Sequence, residues 1–350
     1  MNYVVNNEYS KLKSVIVGNE LNPCYYLYEN HTDTFELEKF FHFFKRKFDL
    51  QSYNKYLREK QAERKEDLLN LKNVLQQHNI RVVHLGSSGQ NVNNCLGSNV
   101  RDLIFSFRNY LIITNSPLNL RNQEYKAYLD IIPRKILHER KIITLPIQKG
   151  RFDFDHHHFT NDFSYFEKHY HKYSPVFEAA NLLKLDKDTL IMNVSNLNEY
   201  SGYKQLQTVL DDIEIIPVFI DYGHIDGALN VLNNKTALIC CDSSYISKDD
   251  FIKLLPVRIQ KMDLIYVDKY PPTYRKNAKY QFVASIGGMF VNNLSISDTT
   301  VVLNKDSIHV KDELRKRGFT IIDISFRHSS AFGGGLHCTT LDLEREESAY

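Results

Sequence analysis

The stretch "FGGGLHCTTLDLE" runs three glycines, Gly333, Gly334 and Gly335, into Leu336, His337 and Cys338. The chain holds 14 glycines in 350 residues. A triplet packs nothing and costs backbone entropy, so it marks unusual dihedrals or a close approach. A thiol beside it is a candidate nucleophile. Three other stretches carry groups that could serve it. "DYGHIDGALNV" sets His224 two residues before Asp226; at the start of a strand that spacing puts both on one face, as an acid–base unit or a hydrogen-bonded cap. "PVFEAANLLKL" has Glu178 ahead of two alanines, small residues that suggest close packing with the carboxylate pointing inward; a helix N-terminus would equally favour a glutamate. "SNVRDLIFSF" has Asp102 opening an apolar run, where a carboxylate is ordinarily a turn or edge device.

Together, a thiol, a histidine with a carboxylate to orient it, and two further carboxylates suit guanidinium compounds. A guanidinium is planar and always charged, and carboxylates match it in paired hydrogen bonds. Its central carbon is a poor electrophile that needs a thiolate-strength nucleophile and a protonated leaving amine.

Composition limits the partners. The chain has 44 basic and 42 acidic side chains, a net charge of +2, with the signs interspersed. That balance gives no electrostatic reason to expect nucleic acid or a membrane surface. The basic cluster Lys45, Arg46 and Lys47 lies in a phenylalanine-rich helical pattern and reads as a solvated face. No apolar run approaches the roughly 18–20 residues of a membrane span, and "MNYVVNNEYSK" lacks the pattern of a signal peptide. Five cysteines, Cys24, Cys95, Cys240, Cys241 and Cys338, form no C-x-x-C pair, against a zinc site or a disulfide framework. A cytoplasmic, reducing setting is the expectation. Asp153, Asp155 and the run His156–His158 occupy a surface excursion; neighbouring residues diverge, so a polar loop is expected there rather than a metal site.

Elements that could position the candidates alternate along the chain. Short apolar runs predict strands at "SVIVG" (14–18), "IRVVHL" (80–85), "DLIFSF" and "YLIITN" (102–115), "KIITLP" (141–146), "TLIMNV" (189–194) and "IEIIPVFI" (213–220). Further strands are expected in "ALNVLNNKTALICC" (228–241), "LIYVD" (264–268), "TTVVLN" (299–304) and "FTIIDIS" (319–325). Helical spacing appears in "FELEKFFHFFKRKF", in "KQAERKEDLLNLKNVLQQHN" through Leu68, Leu71, Val74 and Leu75, and in "NEYSGYKQLQTVLDD", "SKDDFIKLL" and "IHVKDELRKRG", the last closed by Gly318. The recurring unit is hairpin, helix, strand, about five times over, an α/β arrangement within one domain spanning 1–350.

The chain resembles the amidinotransferases (glycine amidinotransferase-like) of the guanidino-group-modifying superfamily over nearly its whole length. "EYSKLKSVIVG" is similar to the family's E-W-x-P-L-x-x-V-I-V-G with Tyr9 for Trp, and "VRDLIF" to P-R-D-x-x-x. "SPLNLRNQEYKAY" resembles R-x-x-E-x-x-A-Y, and "PVFEAANLLKLDKDTLI" resembles P-x-F-D-A-A-D-x-x-x-x-G-x-D. "GHIDGALNVL" is similar to M-H-I-D-x-x-F, and "FGGGLHCTTLDLERE" to L-G-G-G-F-H-C-x-T-x-D-x-R-R. The resemblance implies a pseudo-fivefold α/β-propeller of ββαβ units (pentein-like) and transfer of an amidino group from L-arginine or a related donor to a primary amine, releasing ornithine. It implies that Cys338 forms a covalent amidino intermediate, His224 moves protons to and from the amines, and Glu178 orients it. Asp102 and Asp226 would clamp the guanidinium, with Gly334, Gly335, Asn293 and Ser243 lining the substrate and His337 structural. No metal and no organic cofactor are implied; the partners are small molecules, and relatives imply a homodimer.

Four departures bear on the reaction. Glu178 stands for the family's Asp and Asn181 for the second Asp of that motif; glutamate there is usual among the deiminases, which makes a guanidine hydrolase the alternative, with an inactive binding protein of the same fold as a third reading. The family's S-N-P-D-R segment aligns with "CCDSSY" at 240–245, where Ser243 or Ser244 replaces the arginine that would hold the donor carboxylate. Val291 stands where the family has serine.

Overall fold

Three-stranded sheets recur five times along the chain. The computed structural model describes residues 3–18, 50–84, 98–117, 121–122, 124–146, 150–151, 160–220, 223–241, 246–268 and 286–347. The phenylalanine-rich stretch 35–48 with its basic cluster, the Asp/His excursion at 153–158, Cys24, Cys95 and Ser243 lie outside them.

The strands are β1 (Leu12–Val17), β2 (Arg81–His84), β3 (Ile104–Phe107), β4 (Tyr110–Ile113), β5 (Lys141–Thr144), β6 (Leu182–Lys184), β7 (Thr189–Asn193) and β8 (Glu214–Val218). They continue with β9 (Leu229–Val231), β10 (Thr236–Ile239), β11 (Asp263–Tyr266), β12 (Leu294–Ser297), β13 (Thr300–Asn304), β14 (Thr320–Ile324) and β15 (Thr340–Arg345). Four sheets take them in chain order, β3-β4-β5, β6-β7-β8, β9-β10-β11 and β12-β13-β14; the remaining one is β15-β1-β2. In each, the first two strands pair antiparallel and the third is parallel to the second. A parallel return needs a crossover, and helices supply it: Leu50–Gln77, Glu124–Ile131 with Arg134–Glu139, Leu197–Val209, Lys248–Leu254 with Val257–Gln260, and Ile308–Lys316. Gly318 ends the last at φ +80°, as expected of a helix-stopping glycine.

The middle strand of each sheet is buried on both faces, which is why β4, β7, β10 and β13 read as unbroken apolar runs. Ile112 of β4 faces one cluster, with Leu190 and Leu206, while Leu111 faces another, with Ile16 and Leu341. Each of the five hydrophobic clusters is shared by two consecutive sheets, and the sheet β12-β13-β14 shares its outer cluster with β1 and the Leu50–Gln77 helix. The units therefore form a ring of five ββαβ blades, closed where β15 pairs with β1. The hairpin, helix, strand expectation holds.

Three strands were not legible beforehand: β6, β12 and β15. All are first strands of a blade, and they carry polar residues inward, with Lys184, Ser295, Asp342 and Arg345 buried. Among the described residues no helix is long and apolar enough to cross a membrane.

Candidate active site

The turn leading into the first strand of each blade supplies the candidate residues. A 3-10 turn Val100–Asp102 precedes β3, Ala179–Asn181 precedes β6 with Glu178 at its head, and Ile225–Gly227 precedes β9 with His224 at its head. The Ile286–Val291 helix and Asn292–Asn293 precede β12, and the Gly333–Thr339 loop precedes β15. These turns pack against one another at the centre of the ring. His224 and Asp226 were expected on one face at the start of a strand. They stand instead on the turn before β9, because the chain curls there and takes up pleated geometry only from Leu229 on.

Cys338, His224 and Asp102 converge, with one donor atom of each lying within 4.8 Å of the others. His224 Nε2 is 2.5 Å from Glu178 Oε2 and its Nδ1 is 3.5 Å from Asp102 Oδ1. Arg121 binds both carboxylates from behind, its Nη1 donating to Asp102 Oδ2 and Glu178 Oε1, each at 2.9 Å. The Ser116 hydroxyl also donates to Glu178 Oε1, at 2.6 Å. Cys338 Sγ donates to Asp226 Oδ2 at 3.3 Å and accepts from Asn292 Nδ2 at 3.0 Å.

These neighbours set the charges. Burial would lower the His224 basicity, but the Asp102 and Glu178 carboxylates hold it well above its ordinary value. With both ring nitrogens facing carboxylates it is held as an imidazolium. Burial works to raise Glu178, yet the Arg121 guanidinium and His224 bring it down to about 2. Burial wins at Asp102, pushing it up to about 6 against the pull of His224 and Arg121. Burial and the Asp226 charge push the Cys338 thiol up to about 12. In the free protein the sulfur is thus protonated, and the acid is already charged.

Two buried carboxylate oxygens, Asp102 Oδ1 and Asp226 Oδ1, lack a hydrogen-bond partner among the described residues. Buried acceptors left unfilled are costly, and here they flank the sulfur and the imidazolium.

The glycines do a different task from the one expected. Gly333 adopts φ +70°. A Cβ on Gly334 would meet Asn99 Oδ1 at 2.3 Å, and one on Gly335 would meet Asn292 Oδ1 at 2.6 Å. They make room for two asparagines of the protein, one of which, Asn292, holds Cys338. Asn293 is likewise displaced from the expected role: its amide donates to Phe290 O and Val291 O, and it accepts from Asn230. Its neighbour Asn292 is the residue that grips Cys338, through both the sulfur and the backbone N–H. Adjacent asparagines on a turn diverge, so the sequence offered no means of choosing between them. Arg121 and Ser116 also went unassigned, although both lie in the "SPLNLRNQEYKAY" stretch.

No family model matches the chain. Uncharacterized protein YkgA of Bacillus subtilis is 27% identical over 165 residues, 47% of this chain and 51% of that protein. L-arginine:L-lysine amidinotransferase of Pseudomonas savastanoi pv. phaseolicola is 28% identical over 178 residues, 50% of this chain and 46% of its own length. Inosamine-phosphate amidinotransferase 1 of Streptomyces griseus is 26% identical over 174 residues, 49% of this chain and 47% of its own. The chain thus spans about half the length of the curated relatives it matches. Solved structures match throughout: SxtG, an amidinotransferase of Microseira wollei, has a TM-score of 0.72 at 19% identity over 100% of this chain and 99% of its own. The Streptomyces griseus inosamine-phosphate amidinotransferase StrB1 gives 0.72 at 18%, over 99% and 97%.

The chain is similar in sequence to amidinotransferases over about half of its length, and it shares the fold of SxtG and StrB1.

The chain is less close in fold to a dimethylarginine dimethylaminohydrolase, with a TM-score of 0.55 at 12% identity over 95% of this chain and 99% of that one. Both kinds of neighbour carry the five-blade ring.

Proposed function

We propose that the protein transfers an amidino group from L-arginine, or a donor of the same guanidino class, to a primary amine through Cys338. The observation that carries this is the pair of unfilled buried oxygens, Asp102 Oδ1 and Asp226 Oδ1, beside a thiol and an imidazolium. A planar cation with several N–H donors fits two such acceptors. Seated there, it takes over the Asp226 hydrogen bond and offsets the negative charge that keeps the sulfur protonated. The thiol proton leaves to solvent, and the site's net charge is conserved.

The thiolate then attacks the guanidino carbon, forming a C–S bond. The C–N bond to the donor amine breaks as His224 gives that nitrogen a proton, so the amine departs neutral and an S-amidino cation remains on Cys338. In the second half an acceptor arrives as a neutral amine and attacks the same carbon. His224 takes the proton it loses, the C–S bond breaks, and the new guanidinium leaves. Glu178, locked by Arg121 and Ser116, keeps the imidazole pointing at the nitrogen in both halves. Small molecules as sole partners, a homodimer and a reducing cytoplasmic setting belong to the same proposal.

Incubation with L-arginine decides the reaction class. Ornithine is expected to accumulate only when a primary amine is added, glycine and lysine being the first acceptors to try. Citrulline and ammonia forming at a comparable rate without any amine would overturn the transfer reading in favour of hydrolysis, which the glutamate at 178 favours by its likeness to the deiminases.

The acid limb of kcat/KM follows from Asp102. Its carboxyl must be ionised to hold the cation, and burial places it at about 6. Release of the thiol proton already makes the rate rise with pH, so Asp102 should add a further tenfold fall for each pH step below about 6 and steepen the profile there. A profile that does not steepen between pH 7 and pH 4.5 would exclude Asp102 from cation binding.

A further inference from the structure

His337 touches no substrate in the mechanism above, yet it sits in a chain of buried contacts that ends on the nucleophile. Its Nδ1 is 2.8 Å from Asp226 Oδ2, the same oxygen that receives the Cys338 S–H. Its Nε2 is 3.2 Å from Glu8 Oε2. Both nitrogens of the buried ring face carboxylates, so both must donate; a lone pair aimed at either oxygen would be repelled. Behind Glu8 stand Lys184 Nζ at 3.0 Å and Arg101 Nη1 at 3.6 Å, and both cations also face Asp342. Arg101 Nε further donates to the His337 carbonyl oxygen. The groups facing the ring from the elements around it are thus Asp226, Glu8, Arg101, Lys184 and the Cys338 thiol.

We infer that His337 is a positioning residue: clamped between Glu8 and Asp226, its ring keeps Asp226 turned toward the site and offsets the charge of Asp226 on the Cys338 sulfur. This rests on the assignment of Cys338 and Asp226 to the site. The electrostatics agree, since burial would raise Asp226 but the His337 hydrogen bond and charge hold it below the usual carboxylate range. Glu8 holds the other side of the ring. Neutralised, its side chain no longer offsets the Arg101 and Lys184 charges behind it, and the ring loses its charged acceptor at Nε2 while the Nδ1 bond to Asp226 survives.

Two full-length variants test this by thiol chemistry, with no substrate needed. The rate of iodoacetamide labelling of Cys338 is followed at pH 8 by intact mass, with Cys338→Ala identifying the signal. His337→Asn keeps a donor near Nδ1 and removes the charge; it should slow labelling about tenfold, because less thiolate is present. Glu8→Gln keeps the shape of every partner and should slow labelling by about twofold or more. A folded His337→Asn or Glu8→Gln protein that labels within twofold of the parent, or faster, overturns the assignment, and Glu8→Gln decides alone if His337→Asn does not fold. The labelling rate is independent of the arginine assay, so failure of one leaves the other standing.

Discussion

Replacing Cys338 by serine is expected to abolish the covalent amidino adduct and to lower transfer by about 10⁴-fold or more. The substitution is nearly isosteric, and Asp226 and Asn292 can hydrogen-bond a hydroxyl as they do the thiol, so the fold should be kept. What is lost is a nucleophile able to ionise when a guanidinium arrives; a serine hydroxyl stays protonated there. Mixing the parent with arginine, quenching in acid and weighing the intact protein should show an amidino adduct, mapped by peptide digestion to Cys338. The serine variant should show none. Full transfer activity in Cys338→Ser would remove the proposed nucleophile and with it the two-half mechanism.

The second large effect is on stability. Arg101 is buried among two carboxylates and two carbonyls: Asp342 Oδ1 at 3.1 Å, Glu8 Oε2 at 3.6 Å, and the carbonyl oxygens of His337 and Thr340 at 3.0 and 2.9 Å. Arg101→Met keeps the volume and strips the charge, leaving Lys184 and Arg345 to balance both carboxylates. Removing one partner of a buried ionic group costs about 3–5 kcal/mol, so urea denaturation at pH 7 should show a loss of that size. Its pH dependence has a definite sign. Glu8 and Asp342 are both held far below their ordinary values in the folded state, burial opposing and the Lys184, Arg345 and Arg101 charges prevailing. Groups so depressed stabilise fully above their unfolded value of about 4 and lose that stabilisation as pH falls. The gap between parent and variant should therefore be widest at neutral pH and narrow below about 4. A variant within about 1 kcal/mol of the parent at pH 7 would mean that the remaining cations suffice.

Legibility in the sequence followed the physics of each element. The middle strands of the blades, buried on both faces, announced themselves as apolar runs, and the helix over Leu68, Leu71 and Leu75 did so through its spacing. The inner strands β6, β12 and β15 did not, because Lys184, Asp342 and Arg345 point into an ionic centre and the buried Ser295 likewise breaks the apolar pattern. The same division governs the site. Cys338, His224, Glu178, Asp102 and Asp226 were recognisable by chemical type and motif, and the structure brings them together. Arg121, Asn292 and Glu8 act through partners 57, 46 and 329 residues distant. No local spacing encodes such a contact. Neighbouring residues on the inner turns also face opposite ways: Asp102 and Cys338 look into the site while Arg101 and His337 look into the ionic network. A motif quoted whole conceals that split.

The pairing of β15 with β1, and of His337 with Glu8, has a consequence during synthesis. Everything needed to seat a cation and move a proton except the sulfur and its loop is present once four blades have emerged, but the blade that carries the thiol is completed only when the final strand returns to the first. Contacts of such long sequence separation form late. A nascent or misfolded chain therefore carries Cys338 apart from the groups that surround it in the fold, and the proposed transfer would be confined to molecules that have finished folding.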